Sequence, residues 1–391
     1  MNLREFVDQY NELTGLFLRK FGAEIEDGNL VFSPFSILSL LSVLADATGG
    51  SSRQEVVDLL YGSLPRQGFP EQLKAVRKEL TRRSDEKDYG WLDSYEDPYF
   101  GKPIRDRSEH FHSANAVCVR EDIKDSIHPG FQKRLAEMYD GVLFSSSLLK
   151  TVLRVWMSEM LCDEMRPLLE EALSSDSLMA MVNTVFFDAM WQYPFDEEEV
   201  KVGTFHNADR TNSRVFMLHG GADSYVENDL ATGFVKCFQQ CGYSFMALLP
   251  RKKGPEALRE LMDTVDFYDL AHHQKHVILH SMFPEFNISY KKNMNQIIGS
   301  LGVQEVFTKH ADFSSISTVP IMAEKMIHQA KIEVDRNGAR ASAATTLVCV
   351  GAGLPEEVKY VKIDRPFVFA IMHEGLDIPV FVGAVNHLES V

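Results

Sequence analysis

The stretch "KMIHQAKIEVDRNGARASAATTLVCVGAGLPEEV", residues 325–358, changes character at Gly338. Before that glycine, apolar residues alternate with polar ones such as Lys331 along 326–334, which predicts a β-strand with one face on a core and one face in water. After it, 341–354 contains no charge, no aromatic ring and no proline. The fold must therefore accommodate a strand that leads directly into a long run of small and aliphatic residues.

The composition is that of a soluble globular protein. The chain has 391 residues, of which 45% are hydrophobic and 25% charged, so disorder, collagen and coiled coil are disfavoured. No apolar run reaches the roughly 18 residues needed to cross a bilayer, since even 31–45 contains Pro34 and several serines. We therefore expect no membrane partner.

Charge and cysteine content narrow the partners further. A formal net charge of -16 argues against nucleic acid as a partner, because phosphate binding requires clustered Lys and Arg. The cysteines are odd in number and lack zinc-like spacing, which favours free thiols over disulfides or a metal site; they are Cys118, Cys162, Cys237, Cys241 and Cys349. No targeting segment precedes the first helix, so an extracellular location after removal of a signal peptide and a cytoplasmic one both stay open.

The first half of the chain is predicted to be helical and the last third to be strands. Residues 3–21 repeat apolar side chains at steps of three and four, as in an amphipathic helix. After Pro34, which suits a first helical turn, 37–47 is apolar on nearly every face and predicts a buried helix that ends at two glycines. Ser51 with Gln54 predicts a capping box for the next helix.

Two segments in the middle differ sharply. Residues 84–113 are polar, acidic and rich in turn residues, and they predict a long surface loop or insertion. Residues 178–191 are apolar almost throughout, as expected of a strand covered on both faces. No internal repeat or linker divides the chain into autonomous halves.

The usual catalytic motifs are absent. The chain has no GxSxG, HExxH, GxxxxGK[ST] or GxGxxG, so no enzyme class has a specific signal. The acid cluster 196–199 is predicted to be a solvated turn, and the sequon at Asn287 only weakly indicates secretion. Surface positions are predicted for the histidines that could otherwise ligate a metal, namely His110, His112, His272, His273 and His276.

Four segments, in order and at suitable spacing, resemble the recurrent segments of the serpins. They are "VFSPFSI" (31–37), "VNTVFFDAMWQYPF" (182–195), "MIHQAKIEVD" (326–335) and "IDRPFVFAI" (363–371). The resemblance covers nearly the whole chain, and the expected member is an arthropod-type serpin with a divergent hinge. It implies an α+β fold of three β-sheets with eight or nine helices, one serpin domain over 1–391, and an exposed reactive-centre loop at about 338–358.

The resemblance also implies a mechanism. In inhibitory serpins a serine protease cleaves this loop, stays attached as the acyl-enzyme and is distorted as the loop enters the main sheet as an extra strand. It implies a serine protease as partner and a monomeric inhibitor with no cofactor and no catalytic residue.

The residues after Gly338 suit such an insertion. A strand that enters a close-packed sheet must place small side chains on its inward face, and the inserting face consists of Ala339, Ala341, Ala343 and Thr345. Gly338 is predicted to supply the φ freedom of a hinge. The alternative is a flexible surface loop whose small residues have no function.

Two charges depart from the family pattern. Arg336 stands two residues before the hinge glycine, where inhibitory serpins usually carry an acid, and Glu285 stands where a lysine is usual. The charges are thus exchanged, which predicts that the pair controlling the opening of the sheet is preserved. Ala339 and Arg340 replace the usual threonine or serine and the usual glutamate.

The family register places the bond to be cleaved at Ala352–Gly353. Because a methyl side chain fills only a small primary pocket, an elastase-like protease is the predicted target. The neighbouring glycines are expected to weaken binding of the protease to this bond, since they add loop entropy that binding must offset.

The resemblance further predicts supporting residues. A polar cluster at the sheet centre would control strand separation, and a second group would stabilise the upper end of the sheet. The alternative for each residue is a purely structural role, as a hydrogen-bonded core polar group or a packing aromatic ring. The first set is Ser33, Ser36, Asn183 and His328, and the second is Trp191, Glu285 and Arg336.

Three functions stay open. The small inward face of the hinge favours a suicide inhibitor of a serine protease. Arg336, Arg340 and the weak bait favour a non-inhibitory carrier or interaction protein whose loop is cut as a substrate. An enzyme that merely shares the fold is disfavoured, because no nucleophile constellation is visible.

Overall fold

The computed structural model describes residues 1–25, 28–81, 111–145, 178–239, 242–339 and 357–391. The α-helices of these ranges are α1 (Leu3–Glu24), α2 (Pro34–Ala47), α3 (Gly50–Tyr61), α4 (Phe69–Leu80), α5 (Pro129–Tyr139), α6 (Pro255–Thr264), α7 (Phe267–His272) and α8 (Asn295–Ser300). Short 3₁₀ segments occupy Glu121–Ser126, Glu197–Glu199 and Glu305–Phe307.

The strands complete the architecture. They are β1 (Leu30–Phe32), β2 (Phe111–Val119), β3 (Gly141–Ser145), β4 (Met179–Phe187), β5 (Ala189–Met190), β6 (Val200–His206), β7 (Asn212–Gly221), β8 (Ser224–Glu227), β9 (Ala231–Cys237), β10 (Tyr243–Pro250), β11 (Ile278–Pro284), β12 (Phe286–Asn293), β13 (Lys325–Val334), β14 (Gly338–Ala339), β15 (Val358–Lys362), β16 (Phe367–His373) and β17 (Ile378–Val385). β2 begins at Phe111, so 111–113, predicted as the end of a polar loop, belong to a strand; 84–110 lies outside the described residues.

The strands form three sheets. One has the order β1-β17-β16-β10-β9-β8, and a second has the order β15-β11-β7-β6. The third, called here the main sheet, has the order β3-β2-β4-β13-β14-β5, with β12 paired to the other side of β13. Three sheets and eight α-helices in the described ranges confirm the predicted α+β fold.

Helix α2 is the buried helix that the sequence predicts. Ser33 is its N-cap and accepts a hydrogen bond from the Ser36 N–H, and Pro34 occupies the first turn. Nearly every residue from Pro34 to Ala47 is buried, because the helix contacts β2 and β4 of the main sheet and β17 of the six-stranded sheet. An all-round apolar sequence is stable only in such a two-sided setting.

The start of helix α3 differs from the prediction. Its N-cap is Gly49, with no side-chain cap, so the capping box proposed at Ser51 is wrong. The Gly49 N–H donates to the Asp312 carbonyl oxygen at 2.9 Å, and the Ser52 hydroxyl accepts from the Asp312 N–H at 2.9 Å. A tertiary contact with a distant loop therefore fixes this turn.

Strand β13 also differs from its predicted one-sided exposure. Gln329 and Lys331, on the polar parity, are 0% and 8% exposed, although the apolar parity is buried as expected. β13 lies inside the main sheet, paired to β12 on one side and to β4 on the other. Alternation of side-chain polarity thus identified the strand, but coverage of both faces decided its burial.

Within the part of the chain that the structure describes, no helix is long and apolar enough to cross a membrane.

Candidate functional site

The site begins where the two central strands of the main sheet end. β4 and β13 are parallel and directly paired from Ala180/Lys325 to Val185/Ala330. Beyond these pairs the strands diverge, and the two-residue strand β14 lies between β13 and β5. We call this C-terminal end of β4 and β13 the hinge end.

Strand β14 pairs on both of its sides. Ala339 lies opposite Val334 of β13 and opposite Ala189 of β5, and both pairings are antiparallel. The Ala339 side chain is 0% exposed, so it already occupies a core position. The remaining residues of the predicted inserting face and the predicted reactive bond, namely Ala341, Ala343, Thr345, Ala352 and Gly353, lie outside the described residues.

Asp335 shapes the turn that delivers β14. Its carboxylate oxygen Oδ1 accepts the N–H groups of Asn337 at 2.7 Å and Gly338 at 3.0 Å, and its own N–H donates to the Gly338 carbonyl oxygen at 2.9 Å. Burial raises the pKa of Asp335, and the two N–H donors oppose that shift only in part. The turn is therefore a closed, partly buried unit at the end of β13.

The reason for a glycine at position 338 differs from the predicted one. Gly338 does not belong to the glycines with positive φ, so φ freedom is not what this conformation requires. A Cβ there would lie 2.1 Å from the Ala189 carbonyl oxygen and 2.7 Å from the Met190 Cα. The glycine is needed because the β5 backbone leaves no room for a side chain.

Arg336 and Glu285 lie side by side at the hinge end. The guanidinium Nε is 3.4 Å from Glu285 Oε1, and the same oxygen accepts the Arg336 backbone N–H at 3.0 Å. The arginine side chain is 35% exposed and the glutamate 19%. Because Glu285 also binds the backbone, exchanging the two residues would restore the charge pair but not this hydrogen bond.

Trp191 connects the hinge end to the rest of the molecule. Its backbone N–H donates to the Asn337 carbonyl oxygen at 2.9 Å, and its indole Nε1 donates to the Asp335 carbonyl oxygen at 2.8 Å. The ring is 0% exposed and stacks on Phe238 at 4.6 Å with a 7° interplanar angle. It also meets Phe245 of β10 and Phe283 of β11 edge-on, so this ring, which follows β5 of the main sheet, contacts both of the other sheets.

Lys236 packs beside the Trp191 ring. The lysine is 4% exposed, and its Nζ donates to the Gly221 carbonyl oxygen at 3.3 Å. The ammonium lies 4.6 Å from the ring centroid of Phe195 and 5.7 Å from that of Trp191. Burial lowers the pKa of Lys236 to about 8. An ammonium group thus packs against aromatic side chains at the hinge end.

A second cluster, here the central polar network, crosses the junction of β4 and β13. His328 and Asn183 are direct partners in the two strands, and their Nδ1 and Oδ1 atoms are 3.2 Å apart. The Ser33 N–H donates to His328 Nε2 at 3.2 Å. Since Nε2 accepts that bond, the imidazole is neutral with its proton on Nδ1, and burial lowers its pKa to about 3.

The central polar network continues into β2 and α2. Asn183 Nδ2 donates to Asn115 Oδ1 at 2.9 Å and to Ser113 Oγ at 3.4 Å. The Ser113 hydroxyl lies 3.0 Å from that of Ser36. The four residues predicted at the sheet centre are therefore linked by hydrogen bonds, some direct and some through Ser113, whereas Trp191 lies apart at the hinge end.

Sequence reasoning missed several members of these clusters. Asn115, Ser113, Asp335 and Lys236 were not singled out; Asn115 and Lys236 are polar residues inside apolar segments and Asp335 ends a strand-like one, whereas Ser113 was included in the predicted polar loop. That pattern marks Lys236 most clearly, because "TGFVKCF" (232–238) has no other charge. Which aromatic rings surround the lysine depends on strand packing and could not be read from the pattern.

The other sequence candidates lie elsewhere. His112 packs on Phe186, His276 lies 3.3 Å from the Ser224 hydroxyl, and His272 lies 3.6 Å from Asp377. In the described ranges, no group of three or more His, Cys, Asp or Glu side chains could hold a metal ion. Asp196 caps an exposed 3₁₀ turn, which confirms the solvated turn.

The cysteines that the structure describes are free thiols. Cys118 is buried and Cys237 is partly buried, and burial raises the pKa of both. His110, Cys162, Cys241 and Cys349 lie outside the described residues.

Comparison with known proteins gives consistent results. A family model described as "Serpin (serine protease inhibitor)" matches residues 8–388. Alpha-1-antiproteinase of Rattus norvegicus is 25% identical over 91% of this chain and 83% of its own length. Among solved structures, the native thermophilic serpin tengpin is 24% identical with a TM-score of 0.77, covering 97% of this chain and 94% of its own. Human thyroxine-binding globulin complexed with thyroxine has a TM-score of 0.82 at 19% identity, covering 98% of this chain and 100% of its own.

Proposed function

Because this chain belongs to the serpin family, we propose that it is a suicide inhibitor of an elastase-like serine protease with a small primary pocket. The protease serine would attack the carbonyl of Ala352, form an ester and release the amine of Gly353. The segment from Gly338 onward would then extend β14 between β4 and β13 and carry the attached protease with it. The acting residues would be Ala352 as bait, Gly338 as hinge, and Ala339, Ala341, Ala343 and Thr345 as the inserting face.

The pairing of β14 is the observation that carries this proposal. Ala339 is already paired to β13 and β5, and its side chain is buried. Further insertion would replace one parallel ladder, β4 with β13, by two antiparallel ladders, which are slightly more stable per residue. The direction of β14 suits this step, since it is antiparallel to both neighbours.

The central polar network gives the step a defined barrier. The His328–Asn183 contact spans the two strands that would separate. Opening the sheet there breaks this buried hydrogen bond, and a buried polar group left without a partner costs about 1–3 kcal/mol. We therefore propose that this network holds the native sheet closed until a cleaved loop supplies compensating bonds.

The test is a pair of variants at one buried position. Incubated with pancreatic elastase, the wild-type protein should give a complex that survives SDS, with a new N-terminus at Gly353. In Ala339→Arg the loop should be cleaved at a similar rate without forming the complex, because a charged side chain cannot be held at this buried position and β14 would leave the sheet instead of being extended; Ala339→Ser is the matched small control. Cleavage of the wild type without any complex would overturn the proposal.

A second candidate is a non-inhibitory carrier or interaction protein whose loop is cut as a substrate. The favouring observation is Arg336, which stands where inhibitory serpins usually carry an acid, together with the similarity to thyroxine-binding globulin. In this case elastase would yield only nicked protein from the wild type and from Ala339→Arg alike.

An extracellular location, a monomeric state and the organisation of 1–391 as one domain are part of the proposal, with the cytoplasm as the alternative location. Asn287 and Ser289 of the sequon are exposed on β12, which suits a secreted protein.

A further inference from the structure

Three exposed apolar side chains cluster on one face of the four-stranded sheet. Ile278 and Val358 are each 45% exposed, and Tyr360 is 76% exposed. Single exposed apolar residues are common on proteins, but adjacent ones on neighbouring strands form a patch that requires an explanation. We call these three residues with His280 the β11/β15 patch.

The register of the two strands explains why the side chains meet. β11 and β15 are parallel neighbours, with Ile278 opposite Val358 and His280 opposite Tyr360. The Tyr360 and His280 rings stack at 5.0 Å with a 17° interplanar angle. The exposed aromatic ring is therefore held in place by its neighbour.

The opposite face of the same strands is buried. Leu279 and Val361 are 5% and 2% exposed, so they anchor the patch to the core. A tyrosine presented on a rigid strand loses little conformational freedom when it is covered, which is why tyrosines are enriched among the residues that dominate interfaces. The patch has the chemistry and rigidity of a protein-binding surface.

The position of the patch identifies its partner. Val358 follows the proposed reactive bond by five residues, Gly353 to Val358, and an extended chain of five residues spans at most about 18 Å. Even a domain of about 100 residues has a radius of gyration of about 13 Å and is therefore more than about 26 Å wide, so a whole protease is wider than this reach. A protease engaged at 352–353 must therefore overhang the start of β15.

We propose that the β11/β15 patch is a second contact surface for the protease that attacks the reactive-centre loop. The partner surface is an apolar patch beside the active-site cleft of that protease. The inference rests on the proposed function, because it requires attack on the loop. It adds that recognition depends on side chains outside the loop.

The experiment compares Tyr360→Ala with the wild type. Among a panel of small-pocket serine proteases, the one that attacks the wild-type loop fastest is chosen, and the second-order rate constant of loop attack is measured. Tyr360→Phe retains the ring, and Val319→Ala is the matched control, since Val319 is 39% exposed and lies before β13 near Ser126. A synthetic peptide of residues 340–357 reports attack on the loop sequence alone.

We expect Tyr360→Ala to lower the rate constant at least about fivefold, the ratio that marks an energetically important interface side chain. Tyr360→Phe and Val319→Ala should keep the wild-type rate, and the peptide should be cleaved more slowly than the intact protein. A decrease of less than fivefold for Tyr360→Ala would overturn the inference while leaving the proposed function intact. Absence of any attack on the wild type would instead defeat the proposed function, and the inference with it.

Self-association is the other occupant that the test detects. If the patch joined two copies of this chain, the wild type would sediment as a dimer and Tyr360→Ala as a monomer. That result would also overturn the assignment of the patch to the protease.

Discussion

The β5 backbone closes the space beside the Gly338 Cα. The Ala189 carbonyl oxygen occupies the space where a side chain would begin, and Met190 closes the other side. The restriction lies in the approach of two backbones and not in an unusual φ. Any residue other than glycine must move β14 away from β5.

Substitution of this glycine should therefore weaken the native state. Gly338→Ala places a Cβ 2.1 Å from the Ala189 oxygen, and overpacking of this kind costs about 1–3 kcal/mol. We expect a lower thermal midpoint in calorimetry. Gly28→Ala is the matched control, because nothing lies within 4 Å of its Cβ position. Equal midpoints for the wild type and Gly338→Ala would show that β14 is not held as described.

At the scale of elements, the proposed insertion requires the junction of β4 and β13 to open. Its six residue pairs are reinforced by the central polar network, which ties β13, β4, β2 and the start of α2 together. Among these bonds, the one between His328 and Asn183 joins β13 to β4, so separation of the two strands breaks it directly. The neutral, buried His328 is the titratable member of this network.

The protonation of His328 predicts a pH dependence. Its pKa is about 3 in the folded protein and about 6.5 in the unfolded chain, so the unfolded chain binds the proton first as the pH falls. The stabilisation is complete above pH 6.5 and is lost between pH 6.5 and 3, by at most about 1.4 kcal/mol per pH unit. Wild-type thermal midpoints should fall more steeply with acidification than those of His328→Gln.

The exposed, uncharged Val319 supplies the control for this series. Val319→Ala changes no titratable group and should follow the wild-type slope between pH 6.5 and 4.5. Parallel slopes for His328→Gln and the wild type would contradict the account of a buried neutral imidazole.

The sequence predicted elements better than contacts. The apolar run after Pro34 identified α2, and the run 178–191 identified β4, because a strong pattern over a long segment leaves few alternatives. The turn before α3 was mispredicted, since the Gly49 N–H donates to the Asp312 carbonyl oxygen, in a loop far away in sequence. Rules based on neighbouring residues cannot predict a partner so distant in sequence.

For the candidate site too, some residues could be predicted from the sequence, but their contacts could not. His328 and Asn183 were named from the family resemblance, and the register of β13 on β4 places them opposite each other. Lys236 and Asn115 were missed, because their importance lies in which strands pack beside them. Arg336 and Glu285 were paired by analogy, but the bond from Glu285 to the Arg336 N–H required coordinates.

At the scale of the whole molecule, the sheets leave one strand position only partly occupied. β14 occupies that position at the hinge end, whereas the rest of β4 is bonded directly to β13. A longer β14 would add about ten backbone hydrogen bonds at about 1 kcal/mol each, less the ladder that is given up. In this account the native arrangement is less stable than the one with a longer β14, and cleavage of the loop allows the more stable arrangement to form.

The most direct measurement is a thermal melt before and after the loop is nicked within 340–356, with the nick located by mass spectrometry. At about 2 °C per kcal/mol for a large domain, the account predicts that the midpoint of the nicked protein rises by on the order of 10 °C. Nicked Ala339→Arg should show no such rise. An unchanged or lower midpoint in the nicked wild type would contradict the claim that the segment after Gly338 enters the main sheet.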